Sequence, residues 1–432
     1  GTRLTSVDLV QQGQKELALE CLETVLTEKR IKAYSQVYDQ MVRLFVSLAV
    51  ELRQSKVAKD GLNKYCILVA STASFALENM LKYFLSQAQE AAARSESAPA
   101  PLDESQGAEE TGLELSPAIR FLWEAYKTVL DTLKNTTGFD VLYKSTADQA
   151  FAFCIKFKRV LEFRKFTDML RLHWKNKSSL DVEPIISPQQ LEIRLNQLAT
   201  AIELGSWQDA FRAIDDISSV VSNNPHLFST QMKVSCYSKL AQLFWISQNY
   251  LLHAYALEKL IQAQLQEDPS HPDLTHLSSK LLLAAISIPL YAELNEPAND
   301  SDAVRLASIK TLLGCEDVAE VRRDYILQAM VQCDVPTVPE IKDLYEMMEE
   351  KFHPLKFGGL LSAKLDYIKT QPNLKQYAAA LAQTGFVKIL GQVGSVFQVL
   401  KRSKLPSLVP FIPENQVEKY LMHALRHNDI EC

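Results

Sequence analysis

The chain has 432 residues, 47% of them hydrophobic and 23% charged, with a formal charge of −6. That length allows two or three domains or one elongated repeat array, and that balance excludes a largely disordered chain or a surface built throughout for nucleic acid. Glycine (13) and proline (17) are scarce, which favours helices over hairpin-rich sheets.

The longest apolar run, 281–292, is interrupted by Ser287 and Pro289. It falls short of the roughly 18–20 residues a membrane helix needs. No signal-peptide pattern opens the chain, so a cytoplasmic location with no membrane contact is expected. The seven cysteines (Cys21, Cys66, Cys154, Cys236, Cys315, Cys333 and Cys432) are scattered and form no C-x-x-C pair. Inside helical patterns they read as buried thiols in a reducing compartment.

Apolar residues recur at helical spacing almost throughout, and the fold expected is all-α. Residues 1–90 form the first part of a helical-repeat arm. Gly13, Ala18, Leu19, Leu22 and Val25 open it, and residues 75–89 read as one of its helices. Residues 91–112 are small, acidic and rich in Pro and Ser. They lack the apolar area to offset ordering entropy and are expected to be a disordered loop. Helix resumes at 117–133, and 113–384 continues the arm into a helical bundle. Leu191, Leu195, Leu198 and Ile202 make one apolar stripe; Phe211, Ile214 and Ile217 make another.

The opening pattern returns at Gly205, Ala210, Phe211, Ile214 and Ile217, and more loosely at Asn249, Ala254, Tyr255, Leu257 and Ile261. A Gly or Asn in the left-handed conformation would close one helix. A small residue five positions on would let the next helix cross it closely. Units of this kind stack into a TPR-like solenoid, expected to be right-handed. Residues 385–432 then read as the start of a winged helix. A long apolar helix over 386–400 precedes a short helix at 405–411, a turn, and a helix at 416–427, and the wing would begin beyond Cys432.

No phosphate-binding glycine loop, dinucleotide fingerprint or nucleophile elbow occurs. Gly391 and Gly394 lie in a helical pattern and read as close-packing positions. His423 and His427 share a helix face, but Ala424 stands where a zincin glutamate would be, so no metal, cofactor or small-molecule substrate is expected. One charge cluster stands out. Lys156, Lys158, Arg159, Arg164, Lys165, Arg171, Lys175 and Lys177 face only Glu162 and Asp168, a local charge of +6 in a chain of −6. Two readings stay open: a solvated helix face, or a contact for phosphate backbone or an acidic partner. The interleaved Phe153, Phe157, Phe163, Phe166 and Trp174 read as core.

Several runs, in order, resemble one family. They include Phe121-Leu122-Trp123-Glu124-Ala125-Tyr126, Glu162-Phe163-Arg164-Lys165, Trp207-Gln208-Asp209-Ala210-Phe211, Val338-Pro339-Glu340-Ile341-Lys342-Asp343-Leu344-Tyr345 and Ser407-Leu408-Val409-Pro410-Phe411. Over nearly the whole chain the sequence resembles the A-subunit family of eukaryotic translation initiation factor 3. The resemblance implies a non-catalytic helical-repeat arm leading into a PCI domain, with the c-subunit and other subunits of the factor as partners. It also implies binding to the 40S ribosomal subunit, through protein or rRNA. Leu405, Leu408, Val409, Phe411, Val417 and Tyr420 are the candidate contacts to a PCI partner. The alternatives are a PCI scaffold of the proteasome lid or signalosome, and a TPR-like peptide receptor.

Overall fold

The structure, a computed structural model, describes residues 9–27, 35–69, 73–97, 116–134, 136, 138–178, 187–269, 271–289, 300–314, 337–350, 353–396 and 405–426. These residues contain α helices, one 3-10 turn at Pro225–Leu227, one π turn at Glu346–Glu350, and no strand. The helices are α1 (Lys15–Thr27), α2 (Gln36–Glu51), α3 (Ser55–Val69), α4 (Ser74–Ser97), α5 (Pro117–Leu133), α6 (Asp140–Lys156), α7 (Val160–Ser178), α8 (Pro188–Glu203) and α9 (Trp207–Asn223). They continue as α10 (Thr230–Ile246), α11 (Tyr250–Glu267), α12 (Leu274–Ser287), α13 (Asp300–Leu313), α14 (Pro339–Tyr345), α15 (Pro354–Thr370), α16 (Tyr377–Val396), α17 (Leu405–Leu408) and α18 (Glu414–Arg426).

Among the described residues one turn recurs five times. Gly13, Arg53, Lys158, Gly205 and Gln248 all have positive φ, between +51° and +81°. At each, the backbone N–H of the left-handed residue bonds the carbonyl three residues back, and the next N–H bonds the carbonyl five back. At Gly205 these are Gly205 N to Ile202 O (3.1 Å) and Ser206 N to Ala201 O (2.9 Å). At Gln248 they are Gln248 N to Trp245 O (3.1 Å) and Asn249 N to Phe244 O (2.9 Å). This pair of bonds satisfies the last carbonyls of the outgoing helix. The residue after the left-handed one then accepts the first bond of the next helix, as Ser206 O does from Ala210 N (3.0 Å). The residue five positions beyond the left-handed one is buried in every copy: Ala18, Ala58, Phe163, Ala210 and His253.

The hairpin rule holds at Gly13 and Gly205, but its third copy is displaced by one residue. Asn249 has φ −90° and is the N-cap of α11, its side chain accepting from Leu252 N at 3.2 Å. Gln248 takes the left-handed position instead, because an Asn side chain aimed at the new helix satisfies an orphan donor there.

The chain divides into two compact units, Gly1–Thr200 and Ala201–Cys432. In the first, α1 packs on α2 and α3, α2 on α3 and α4, α3 on α4 and α5, α4 on α5, α5 on α6, and α6 on α7. Packing on the next and the next-but-one helix is the arrangement of a stack. Its interior holds Phe45, Tyr65, Phe84, Phe163 and Phe166. In the second unit, α10 packs on α11 and α11 on α12. The α12 helix also meets α14 and α16, α15 and α18 pack on α16, and α9 pairs with α13.

Three expected boundaries move. The loop expected from residue 91 begins later, since α4 continues to Ser97. Three alanines propagate the helix, Ala92 is buried, and Glu96 receives an ion pair from Lys156 at 2.8 Å. Residues 98–112 lie outside the described residues; α3 and α4, which precede them, both pack on α5, which follows them. The expected boundary at 384/385 falls inside α16, whose apolar faces bind it to α12 and α15. The division at 200/201 lies within the expected 113–384 segment. Close packing, expected at Gly391 and Gly394, does not occur at Gly391, and the surroundings of Gly394 lie outside the described residues. A Cβ on Gly391 would meet nothing within 4 Å, whereas one on Gly358 would lie 2.3 Å from the Leu408 carbonyl oxygen.

An alanine at Gly205 (φ +69°) and a glycine at Gln248 (φ +59°) should have opposite effects. Gly205→Ala is expected to lower stability by about 1 kcal/mol, and Gln248→Gly to raise it by a comparable amount, read by urea denaturation.

Candidate functional site

The basic segment folds as the end of α6, a left-handed turn at Lys158, and α7. Three of the five aromatic residues expected in the core, Phe153, Phe163 and Phe166, lie in the core of the first unit. Phe153, Phe163 and Phe166 are buried, with Trp123 stacked on Phe153 at 5.7 Å and Phe151 edge-on to Phe166 at 5.1 Å. Phe157 is half-buried, and Trp174 lies under the Arg194 guanidinium at 3.9 Å from its ring centroid. None of these rings is an open platform for a base.

The cations divide. Lys156 pairs with Glu96, and Arg159 forms a two-pronged ion pair with Glu162 at 2.9 and 2.5 Å, so both have carboxylate partners within the chain. Lys158, Arg164 and Lys165 are exposed. Arg171 is half-exposed, 3.9 Å from Asp168. Lys175 and Lys177 lie on α7, and their side chains are outside the described residues. The structure therefore gathers Arg164, Lys165 and Arg171 on the outer side of α7 and engages Lys156 and Arg159 internally.

A buried polar chain on the inner side of α7 had no local signal in the sequence. His173 Nε2 lies 3.1 Å from Asp131 Oδ1 on α5, and its Nδ1 lies 3.0 Å from the Tyr143 hydroxyl on α6. Lys59 on α3 donates to Asp131 Oδ2 at 2.8 Å. The His173 hydrogen bond, followed by Lys59, holds the Asp131 carboxyl far below the usual carboxylate range. Burial pushes the Tyr143 hydroxyl well above its ordinary value. Four helices are thus tied by side chains up to 72 residues apart.

The second unit has a comparable tie. His253 Nδ1 donates to the Ala241 carbonyl at 2.7 Å, leaving Nε2 to accept from the Tyr377 hydroxyl at 2.9 Å. Burial pushes this imidazole down to about 4, so it is neutral near pH 7. Trp245 packs against both rings, 5.0 Å from His253 and 4.7 Å from Tyr377.

Of the C-terminal candidates, Leu405, Val409 and Val417 are buried within the second unit itself. Leu408, Phe411 and Tyr420 are half-buried, Tyr420 against Phe386 at 6.0 Å. Helices as short as α17 hold position only by packing their apolar residues inward, and Gly358 admits the Leu408 backbone for that purpose. The thiols of Cys66, Cys154 and Cys236 are buried as expected, and burial pushes Cys154 and Cys236 up to about 12. Cys21 is exposed, contrary to expectation, and Cys315, Cys333 and Cys432 lie outside the described residues. No group of three metal-ligating side chains occurs among the described residues, which exclude His427 and the side chain of His423. No described helix is long and apolar enough to cross a membrane.

The pattern described as "eIF3a, PCI domain, TPR-like region" matches residues 5–113 and 100–356. The chain belongs to the A-subunit family of eukaryotic translation initiation factor 3. It is 31% identical to the human A-subunit over 98% of this chain and 34% of that protein. It is 30% identical to the Arabidopsis thaliana relative over 98% of this chain and 48% of that protein, and 30% identical to the Danio rerio relative over 98% and 37%. The chain therefore spans about a third to a half of these relatives. The runs that carried the resemblance to this family hold its core: Phe121–Tyr126 supplies Trp123 and Tyr126 to the aromatic cluster, and Trp207–Phe211 opens α9 behind the Gly205 turn.

His253 and Asp131 should respond to acid over different pH ranges. An unfolded histidine takes up a proton near pH 6.5, but folded His253 does so only near 4, so stability should fall by about 3 kcal/mol as pH drops across that window. Asp131 is depressed, so its contribution should persist to about pH 4 and be lost only below it. In denaturant titrations, Asp131→Asn should lower stability by about 2 kcal/mol at pH 7, and the difference from wild type should shrink below pH 4.

Proposed function

We propose that this chain is a non-catalytic scaffold arm of the translation initiation factor 3 complex, acting in the cytoplasm. It joins PCI- and MPN-type subunits, the c-subunit first, and contributes to binding the 40S ribosomal subunit during initiation. The observation that carries this reading is family membership across 98% of the chain. The use of its titratable groups agrees with it. His173 and Asp131 in the first unit and His253 in the second are each hydrogen-bonded to other helices of their own unit.

Contact to the ribosome runs through α7 in this proposal, where Arg164, Lys165 and Arg171 lie outside the aromatic core. The PCI-type contact falls to Leu408, Phe411 and Tyr420, since Leu405, Val409 and Val417 are engaged internally. A proteasome-lid or signalosome scaffold would share the helical architecture but not membership of this family.

Replacing Arg164, Lys165 and Arg171 together with glutamate should weaken co-sedimentation of the assembled factor with 40S subunits. Added salt should narrow the gap to wild type as the charges are screened. Unchanged sedimentation with an intact factor would remove α7 from the contact.

A further inference from the structure

Helix α7 has two faces of different character. Phe163, Phe166, Leu170 and His173 point into the first unit and are buried. The opposite side carries Leu161 and Leu172, which are 65% and 60% exposed although leucine is the kind of side chain a core takes up first. They lie eleven positions apart, three helical turns, and so fall on one line along the helix. Lys165 and Asp168 stand between them on that line, with Arg164 beside it. The distance along the axis is about 16 Å at the rise of an α-helix.

Single exposed leucines are ordinary on protein surfaces, but two on one stripe, with Lys165 between them and Arg164 beside it, form a patterned face. The choice of partner follows from that pattern. An RNA backbone would use the cations and leave both leucines in water, while Phe163 and Phe166 of this helix are inside the core and Trp174 is covered by Arg194. An acidic amphipathic helix uses both the leucines and the cations, burying two apolar anchors and placing carboxylates over Lys165 and Arg164, while Asp168 lies 3.9 Å from Arg171 of its own helix. Lys165 on the stripe and Arg164 beside it, both exposed, supply the complementary charge.

We propose that the Leu161–Lys165–Leu172 face of α7 is a docking surface for an acidic amphipathic helix of a protein partner, read through two leucine anchors as well as charge. This deepens the scaffold reading, because it names the chemistry of the partner that the basic segment takes. The probe is a fluorescent helical peptide with two leucines eleven positions apart and glutamates between them, titrated with the purified chain by anisotropy. A second peptide replaces the leucines with serine, and a labelled oligouridine is the nucleic-acid arm.

The chain is expected to bind the leucine peptide, and the serine peptide at least about tenfold more weakly. Leu161→Ser with Leu172→Ser should cause a loss of similar size, and Lys165→Glu a salt-sensitive loss. Both leucines are exposed, so thermal unfolding of these variants should match wild type. Oligouridine binding that survives the leucine substitutions, with no preference between the peptides, would overturn the proposal in favour of an RNA contact. Absence of binding to any probe would overturn it too. Assembly of the factor by the same variants, scored by co-purification with the c-subunit, reports on the scaffold reading separately.

Discussion

A residue held at positive φ at the end of a helix, with its two backbone hydrogen bonds, is the constraint on which the hairpins depend. The geometry recurs at Gly13, Arg53, Lys158, Gly205 and Gln248, and only two of these residues are glycine. A side chain in the left-handed region is disfavoured by roughly 1–2 kcal/mol, so something must hold the other three there. Part of it is the pair of carbonyls satisfied by each turn, and part is the buried residue five positions on. Because the turn ends one helix and begins the next within two residues, it sets the angle at which each hairpin leaves its predecessor. In the first unit α1, α2 and α3 each pack on the next and the next-but-one helix.

The buried polar groups act within that frame. Lys59, Asp131, His173 and Tyr143 join four helices, and His253 with Tyr377 joins α11 to α16 across 124 residues. Polar groups withdrawn from water need partners, and a partner on another helix fixes the relative position of the two elements more sharply than apolar contact does. His253 occupies the buried fifth position of its turn, where Ala18, Ala58 and Ala210 stand in other copies. The larger imidazole fits there because the Ala241 carbonyl and the Tyr377 hydroxyl satisfy both of its nitrogens.

Helix α7 joins the two themes. One side contributes Phe163 and Phe166 to the aromatic core and His173 to the polar chain; the other presents leucines and cations to solvent. A helix anchored so firmly on one face offers a rigid platform on the other, and rigid platforms lose little entropy when a partner docks. The interaction proposed for this face therefore draws on the same burial that stabilises the unit.

Much of the architecture was legible in the sequence. Helical periodicity is a local property, and it located α5 at 117–133 and the apolar stripes of α8 and α9. The spacing from Gly13 to Ala18 and from Gly205 to Ala210 revealed the hairpin turn, because glycine marks a left-handed residue without reference to anything distant. Arg53 and Lys158 carry no such mark, and Asn249 misdirected the register by one residue because the same side chain also caps helices. What the chain could not disclose locally was which charges meet. Lys156 finds Glu96 sixty residues away, and Asp131 finds Lys59 and His173, so the pairing that divides a +6 segment into engaged and exposed cations arises only when the helices stack. The apolar residues of α17 and α18 make the same point: their hydrophobicity was plain, but whether they faced a partner or their own unit depended on α15 and α16 packing beneath them. Periodicity is written within a few residues, whereas burial and charge pairing are properties of surfaces that exist only after distant segments have met.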